Sequence, residues 1–173
     1  MRTTDMSGDR RKLNLREDWP VTPLFSLFFI GLAVSVYDFI VLQGLHIQLN
    51  PTSLVGAALV ILGGSLRSVS KLTLKRAGFG LVNSARLRVF EKQRLVTDGV
   101  YRHIRHPLYL GEIMRNIGFT LVVSSLYGLI PMLLCSAMLL FRIGIEERML
   151  VEEFGVEYEE YMRRTKKLIP YVY

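Results

Sequence analysis

The stretch VTPLFSLFFIGLAVSVYDFIVL, residues 21–42, contains 22 residues and a single charged side chain, Asp38. An apolar run of about 18 or more residues is typical of a transmembrane helix, because its length matches the hydrocarbon core of a bilayer. Trp19 and Pro20 precede the run, as expected for an interfacial anchor and a helix start. The 173-residue chain is 50% hydrophobic, with a mean hydropathy of +0.30. We therefore expect a single membrane domain covering 1–173.

Three further membrane helices are predicted after this run. The second spans 52–74 and follows the turn-prone pair Asn50-Pro51, and the third spans 107–125. The fourth spans 127–145, so only a tight hairpin turn fits between it and the third. The predicted fold is an all-α, polytopic membrane helix bundle with about four transmembrane helices.

The distribution of basic residues predicts how this bundle is oriented. No Lys or Arg occurs in 21–66 or in 116–141, whereas the segments 1–20, 75–106 and 146–173 are rich in them. Basic residues accumulate on the cytoplasmic side of membrane proteins. We therefore expect both the N-terminus and the C-terminus, the long connection and the tail to be cytoplasmic. The same bias accounts for the net charge of +7 without a nucleic-acid partner.

The start of the third helix is a candidate anion site. His106 precedes a proline and is therefore biased towards an extended conformation, and Pro107 suits the first helical position. The helix would then begin at the membrane surface with free N–H groups and positive dipole character, beside Arg105. Such a site can bind a carboxylate or a phosphate. The alternative is a basic juxtamembrane segment that only contacts lipid headgroups.

Two pairs of ionisable residues lie at helical spacing. Arg142 and Glu146 share a face where the fourth helix leaves the bilayer. An ionisable residue near the hydrocarbon is a functional candidate, although a surface ion pair of little consequence would have the same spacing. Glu112 and Arg115, within the third helix, are expected to neutralise one another. The only cysteine, Cys135, is expected to be a buried hydrophobe, and no His or Cys cluster has metal-ligand spacing.

A set of motifs follows in order from about residue 93 to residue 170. They are Leu95-Val96, Gly99-Val100-Tyr101, Arg105-His106-Pro107-Leu108-Tyr109, Glu146-Glu147 and the stretch FGVEYEEY at 154–161. Placed around a hydrophobic hairpin, they resemble the isoprenylcysteine carboxyl methyltransferase family and the wider group of integral-membrane methyltransferases that includes phospholipid N-methyltransferases. The likeness covers nearly half of the chain. Gln93 departs from the pattern, since the prenylcysteine enzymes can carry histidine there, and the N-terminal half has no matching motif.

The resemblance implies an enzyme that takes S-adenosyl-L-methionine as methyl donor and releases S-adenosyl-L-homocysteine. It implies a lipophilic acceptor, with carboxyl O-methylation of a prenylcysteine-like substrate as the first candidate and methylation of an amine lipid or another isoprenoid as alternatives, and with membrane lipids as further partners. Arg142 matches the family position that holds the acceptor. The residues implied to contact the cofactor are Gln93, Arg94, Leu95, Val96, Tyr101, His106, Pro107, Leu108, Tyr109 and Glu146.

Two other classes of protein remain open from the sequence. A membrane reductase resembling the sterol reductases, which use NADPH, shares the Arg-His-Pro-x-Tyr segment, but no cysteine follows Glu146-Glu147-Arg148 as it does there. A non-catalytic membrane adaptor or lipid-binding protein would explain the helices and the charges, but it would leave Tyr101, His106 and Glu146 without a role. A thermal shift with NADPH and none with S-adenosyl-L-homocysteine would support the reductase. Cofactor binding without methyl transfer to any lipid-like acceptor would favour the non-catalytic protein.

Overall fold

The computed structural model describes residues 21–46, 49–78 and 95–169. In these ranges every regular element is helical, apart from one parallel β-bridge between Ile104 and Lys166. The elements in chain order are α1 (Val21–Tyr37), a π-helical turn (Asp38–Leu42), α2 (Pro51–Arg76), a 3₁₀ turn (Gly99–Arg102), α3 (Pro107–Val122), α4 (Leu126–Phe154) and α5 (Val156–Arg164). The predicted all-α fold is confirmed.

Polar side chains set the starts of two of the long helices. The Asn50 side chain accepts a hydrogen bond from the Ser53 N–H at 2.8 Å, and the Asn50 N–H donates to the Ser53 hydroxyl at 3.1 Å. This reciprocal capping box, with Pro51 in the first turn, begins α2. The Ser125 hydroxyl accepts from the Gly128 N–H at 3.0 Å and caps α4 through this single hydrogen bond.

Two of the helices have different lengths from those predicted. Three helical segments are long and apolar enough to cross a membrane, namely Val21–Leu42, Pro51–Arg76 and Leu126–Phe154. The predicted third span is a helix of 16 residues, because the backbone turns at Ser124, whose φ is 51°. In contrast, α4 continues beyond residue 145 and carries Glu146 and Glu147 on a continuous helix.

The long helices pack in the spatial order α2, α3, α4, α1. Glycines let α2 and α3 approach closely. A Cβ atom built on Gly63 would lie 2.6 Å from the Gly111 carbonyl oxygen, and one on Gly56 would lie 2.7 Å from the Gly118 carbonyl oxygen. These antiparallel pairs bring the two backbones together in the way that small residues do in membrane helix interfaces.

An ion cluster lies between α2 and α3. The Arg115 guanidinium donates to Glu112 Oε1 at 2.6 Å, which confirms the ion pair predicted within α3. Arg67 of α2 pairs with the other oxygen of the same carboxylate. Sequence spacing could not indicate this third member, because Arg67 lies 45 residues away from Glu112.

The C-terminal ends of α2 and α4 lie at the same end of the bundle as the start of α3. The segment after α5 returns to this end and runs beside the residues that precede α3. The Arg105 N–H donates to the Lys166 carbonyl at 2.9 Å, and the His106 N–H donates to the Lys167 carbonyl at 3.2 Å. This C-terminal segment therefore fixes the chain just before Pro107.

Candidate cofactor pocket

A cavity lies at this end of the bundle, between the segment before α3, the last turns of α4, and α5. Its apolar wall is formed by Leu74, Leu95, Val96, Leu150 and Phe154. Its polar side chains are those of Tyr101, Arg105, His106, Glu146, Tyr158 and Tyr161. A mostly apolar concavity with a few convergent polar groups is typical of small-molecule sites. In the three described ranges, no cluster of His, Cys, Asp or Glu could hold a metal ion.

The cavity brings together part of the set of residues that the motifs implied for the cofactor. The members of that set that line it are Leu95, Val96, Tyr101, His106 and Glu146. His106 and Glu146 therefore border one cavity, as the sequence predicts. Pro107, Leu108 and Tyr109 form the first turn of α3 but do not line the cavity. Gln93 and Arg94 lie outside the described residues, and their assignment stays a prediction.

Glu147 joins three parts of the chain around the pocket. Its carboxylate accepts a hydrogen bond from Arg105 Nε at 2.8 Å and lies 3.3 Å from His106 Nε2. Its other oxygen lies 2.9 Å from Lys167 Nζ. The carboxylate thereby ties α4 to the segment before α3 and to the C-terminal segment. The sequence singled out the Glu146-Glu147 pair, but this role depends on contacts between residues distant in the chain.

Arg105 has a different role from the one its position suggested. The sequence placed it beside an anion site at the start of α3. In the structure its guanidinium donates to the carbonyl oxygens of Thr165, at 2.6 Å, and Met162, at 3.2 Å, in addition to Glu147. Arg105 therefore holds the C-terminal segment in place, although it also borders the cavity.

Two buried tyrosines, Tyr101 and Tyr161, line the cavity. The Tyr161 hydroxyl donates to the Tyr101 carbonyl at 2.6 Å. Burial raises the pKa of Tyr161 above its ordinary range, so the hydroxyl stays protonated and can donate this hydrogen bond. Burial likewise raises the pKa of Tyr101, and the negative charge of Glu146 adds to the effect. Both phenols are therefore neutral at physiological pH.

Two polar atoms of the cavity residues are buried without a hydrogen-bond partner in the described part of the chain. They are Oε2 of Glu146 and the hydroxyl oxygen of Tyr158. Buried polar atoms normally have partners, because an unmade hydrogen bond there costs about 1–3 kcal/mol. In a cavity wall, such atoms can bind a ligand.

Arg142, the residue implied to hold the acceptor, lies next to the cavity wall. Its side chain is buried, and its Nε donates to the Tyr109 hydroxyl at 3.1 Å. Tyr109 in turn lies close to the Glu146 carboxylate. Since α4 is continuous from Leu126 to Phe154, Arg142 and Glu146 share one helix face, as predicted from their spacing.

Apolar helices that can cross a bilayer, with a mostly apolar cavity bordered by a few polar groups at one end, define an integral membrane protein with a candidate ligand pocket. The model of the phospholipid methyltransferase family matches residues 51–157, and the chain belongs to this family.

Several isoprenylcysteine methyltransferases align with most of this chain. It is 31% identical over 118 residues to protein-S-isoprenylcysteine O-methyltransferase B of Arabidopsis thaliana, with 68% of this chain and 58% of the relative aligned. It is 31% identical over 141 residues to protein-S-isoprenylcysteine O-methyltransferase of Tribolium castaneum, covering 80% of this chain and 47% of the relative. The Schizosaccharomyces pombe protein of the same name is 30% identical over 149 residues, and the alignment covers 86% of this chain and 56% of the relative. The chain thus spans about half the length of these relatives.

A solved structure also matches. It is that of the eukaryotic intramembrane Ras methyltransferase, isoprenylcysteine carboxyl methyltransferase, without a monobody. The TM-score is 0.61 at 28% sequence identity, and the alignment covers 92% of this chain and 54% of that one. The helical arrangement described above is therefore similar to about half of a known membrane methyltransferase.

Proposed function

We propose that this chain is an S-adenosyl-L-methionine-dependent methyltransferase that methylates the carboxyl group of a lipophilic, prenylcysteine-like acceptor at the cytoplasmic face of a membrane. Family membership and the names of the relatives support this reaction class. The observation that carries the proposal is one cavity bordered by both His106 and Glu146, in which Glu146 Oε2 has no partner among the described residues.

The chemistry of the cavity fits the methyl donor. We assign donor binding to Leu95, Val96, Tyr101, His106 and Glu146, continued by Pro107, Leu108 and Tyr109 and, from the motifs, by Gln93 and Arg94. A partnerless carboxylate oxygen requires a hydrogen-bond donor, which an ammonium group or a ribose hydroxyl provides. The apolar wall suits the contact surface of an adenosine.

The start of α3 supports the binding of the donor's carboxylate. His106 is the N-cap residue of α3, and its side chain makes no cap hydrogen bond. The first N–H groups of the helix, those of Leu108 and Tyr109, therefore do not donate to the His106 side chain, and the helix dipole adds a favourable field for an anion. When bound, the donor supplies an electrophilic methyl group on a sulfonium.

We assign the acceptor's carboxylate to Arg142. A guanidinium binds a carboxylate through two parallel hydrogen bonds, so it can fix which oxygen points towards the donor. A carboxylate is already ionised at neutral pH, and its attack therefore needs no general base from the chain. Positioning of the two reactants by Arg142, Tyr109 and Glu146 is then the main contribution of the protein to the rate.

We infer the cytoplasmic orientation from the charge pattern. The pocket lies at the end of the bundle where Arg67, Lys71, Lys75 and Arg76 occur on α2 and where the basic C-terminal segment returns. Basic residues favour the cytoplasmic side. Because apolar helices adjoin the pocket, we expect a lipophilic acceptor to reach Arg142 from the bilayer.

Ligand binding by the full chain in detergent tests whether the pocket binds the proposed methyl donor. Calorimetry with S-adenosyl-L-homocysteine should give a saturable heat, whereas NADPH should give none. Saturable NADPH binding without S-adenosyl-L-homocysteine binding would instead support a reductase.

A methyl-transfer assay tests the reaction and the acceptor. With labelled methyl donor and an N-acetyl-S-prenylcysteine, the product should release its label as methanol in base, because a carboxyl methyl ester hydrolyses and an N-methyl group does not. An amine-headed phospholipid serves as the comparison acceptor. Base-stable label on that lipid alone would contradict carboxyl methylation, and donor binding with no transfer to either would favour a non-catalytic protein.

A further inference from the structure

Tyr158 of α5 has a buried hydroxyl with no assigned role. The side chain is 1% exposed, and its ring packs edge-on against Tyr161 with the centroids 5.8 Å apart. Its hydroxyl oxygen has no hydrogen-bond partner in the part of the chain that the structure describes. Buried tyrosine hydroxyls usually find a partner, and Tyr161, its neighbour on the same helix, does so through the Tyr101 carbonyl. The Tyr158 hydroxyl therefore lacks a partner among the described residues, and a bound ligand could provide one.

The surroundings of Tyr158 indicate where that partner would bind. Tyr158 and Glu146 line the same cavity, although they belong to different helices. Burial raises the pKa of Tyr158, and the negative charges of Glu147 and Glu146 raise it further. The hydroxyl therefore stays protonated, and it can both donate and accept a hydrogen bond.

The two partnerless groups complement each other. A carboxylate oxygen of Glu146 only accepts hydrogen bonds, whereas the Tyr158 hydroxyl can donate one. A ligand group that presents a hydrogen-bond donor beside an acceptor satisfies both. The methyl donor has such a pair at its amino-acid end, as ammonium and carboxylate, and another at the edge of its adenine.

We propose that Tyr158 is a further donor-binding residue, whose hydroxyl forms a hydrogen bond with the methyl donor beside Glu146. The proposal rests on the function proposed above, but none of the motif-based assignments includes Tyr158. With this contact, the helix α5 would bind the methyl donor directly, in addition to forming one wall of the cavity.

The variant Tyr158→Phe tests this proposal by removing one oxygen atom and keeping the ring. Because that oxygen has no partner within the described residues, the ligand-free variant should unfold at the same temperature as the wild type or at a higher one. Its affinity for S-adenosyl-L-homocysteine should fall about tenfold, as expected for the loss of one hydrogen bond. Tyr127→Phe, at an exposed position at the opposite end of the bundle, should change neither measurement.

A second ligand locates the contact on the donor. 5′-Methylthioadenosine lacks the amino-acid end. If Tyr158→Phe binds it as the wild type does, the hydroxyl contacts the amino-acid end; if its affinity falls in parallel, the hydroxyl contacts the adenosine. Both results support the proposal.

Two results would overturn it. One is an unchanged affinity of Tyr158→Phe for S-adenosyl-L-homocysteine. The other is a lower unfolding temperature of the ligand-free variant with an unchanged ligand-induced shift, which would make the hydroxyl structural. A wild-type chain that does not bind S-adenosyl-L-homocysteine would instead contradict the proposed function itself.

Discussion

Arg142 Nε donates a hydrogen bond to the Tyr109 hydroxyl across 3.1 Å, and this contact joins α4 to the first turn of α3. Tyr109 lies close to the Glu146 carboxylate, so the residue proposed for the acceptor and a residue proposed for the donor share one neighbour. The two proposed half-sites are therefore adjacent, although Arg142 itself does not line the cavity. Variants of Arg142 and of Glu146 should separate the contribution of Arg142 to turnover from that of Glu146 to donor binding.

Arg142→Lys should lower kcat more than it lowers donor affinity. Lysine keeps the positive charge but lacks the planar fork that binds a carboxylate through two hydrogen bonds. We expect kcat to fall by about 10- to 100-fold, with the dissociation constant for S-adenosyl-L-homocysteine within about twofold of wild type. Steady-state kinetics and calorimetry provide the two values. Arg148→Lys, exposed on the same helix, is the matched control, and a parallel loss of donor affinity in Arg142→Lys would argue against an acceptor role.

Glu146→Gln should mainly weaken donor binding. The change keeps the size of the side chain but removes its charge and replaces one acceptor oxygen with an N–H donor. Loss of a charge-assisted hydrogen bond should raise the dissociation constant for S-adenosyl-L-homocysteine by about tenfold or more. Glu152→Gln, an exposed position further along α4, should bind like the wild type. Equal affinities of the two variants would contradict the assignment of Glu146.

Glu147→Ala should destabilise the fold. It leaves Arg105, His106 and Lys167 around a vacated carboxylate position, and removing one partner from a buried charge cluster costs about 3 kcal/mol. The measurement is the thermal unfolding temperature in detergent. Glu153→Ala, exposed on the same helix, should leave it unchanged.

A double variant checks the physical reason for that loss. Adding Lys167→Met to Glu147→Ala should cost less than Lys167→Met alone, because the lysine has already lost this carboxylate. Strictly additive losses would mean that the cluster does not act as a unit.

Gly63→Ala should destabilise the interface of α2 with α3, whereas Gly64→Ala should not. The new Cβ at residue 63 would lie 2.6 Å from the Gly111 carbonyl oxygen, but one at residue 64 would meet nothing within 4 Å. Overpacking of this kind costs about 1–3 kcal/mol, and a helical Gly→Ala change into open space is neutral or stabilising. The same unfolding assay compares the two. Equal behaviour would contradict the close approach of the helices.

Local patterns in the sequence were sufficient to predict the helices and part of the pocket. Apolar runs are a local signal, and Pro107 marks the start of α3 as predicted. The helix α4 continues beyond its apolar part because Glu, Arg, Met and Leu are good helix formers. The last apolar residue of the predicted span therefore did not mark the end of the helix. The motif spacing correctly placed His106 and Glu146 beside one cavity.

Contacts between distant residues could not be predicted from one sequence. The pairing of Arg67 with Glu112 depends on the register of two glycine-bearing helices. The role of Glu147 depends on the return of the C-terminal segment to the start of α3. The significance of Tyr158 depends on the absence of a partner for its hydroxyl among the described residues, which only a three-dimensional arrangement can reveal.

The packing order α2, α3, α4, α1 has a consequence for how such a protein can change during evolution. The described residues that line the cavity are Leu74 and ten residues that lie between 95 and 161, and α1 contributes none of them. Since α1 packs mainly on α4, it can be altered or exchanged without disturbing the cavity lining. On the function proposed above, the first helix is therefore a part of the molecule whose sequence can diverge while the lining of the donor cavity is kept.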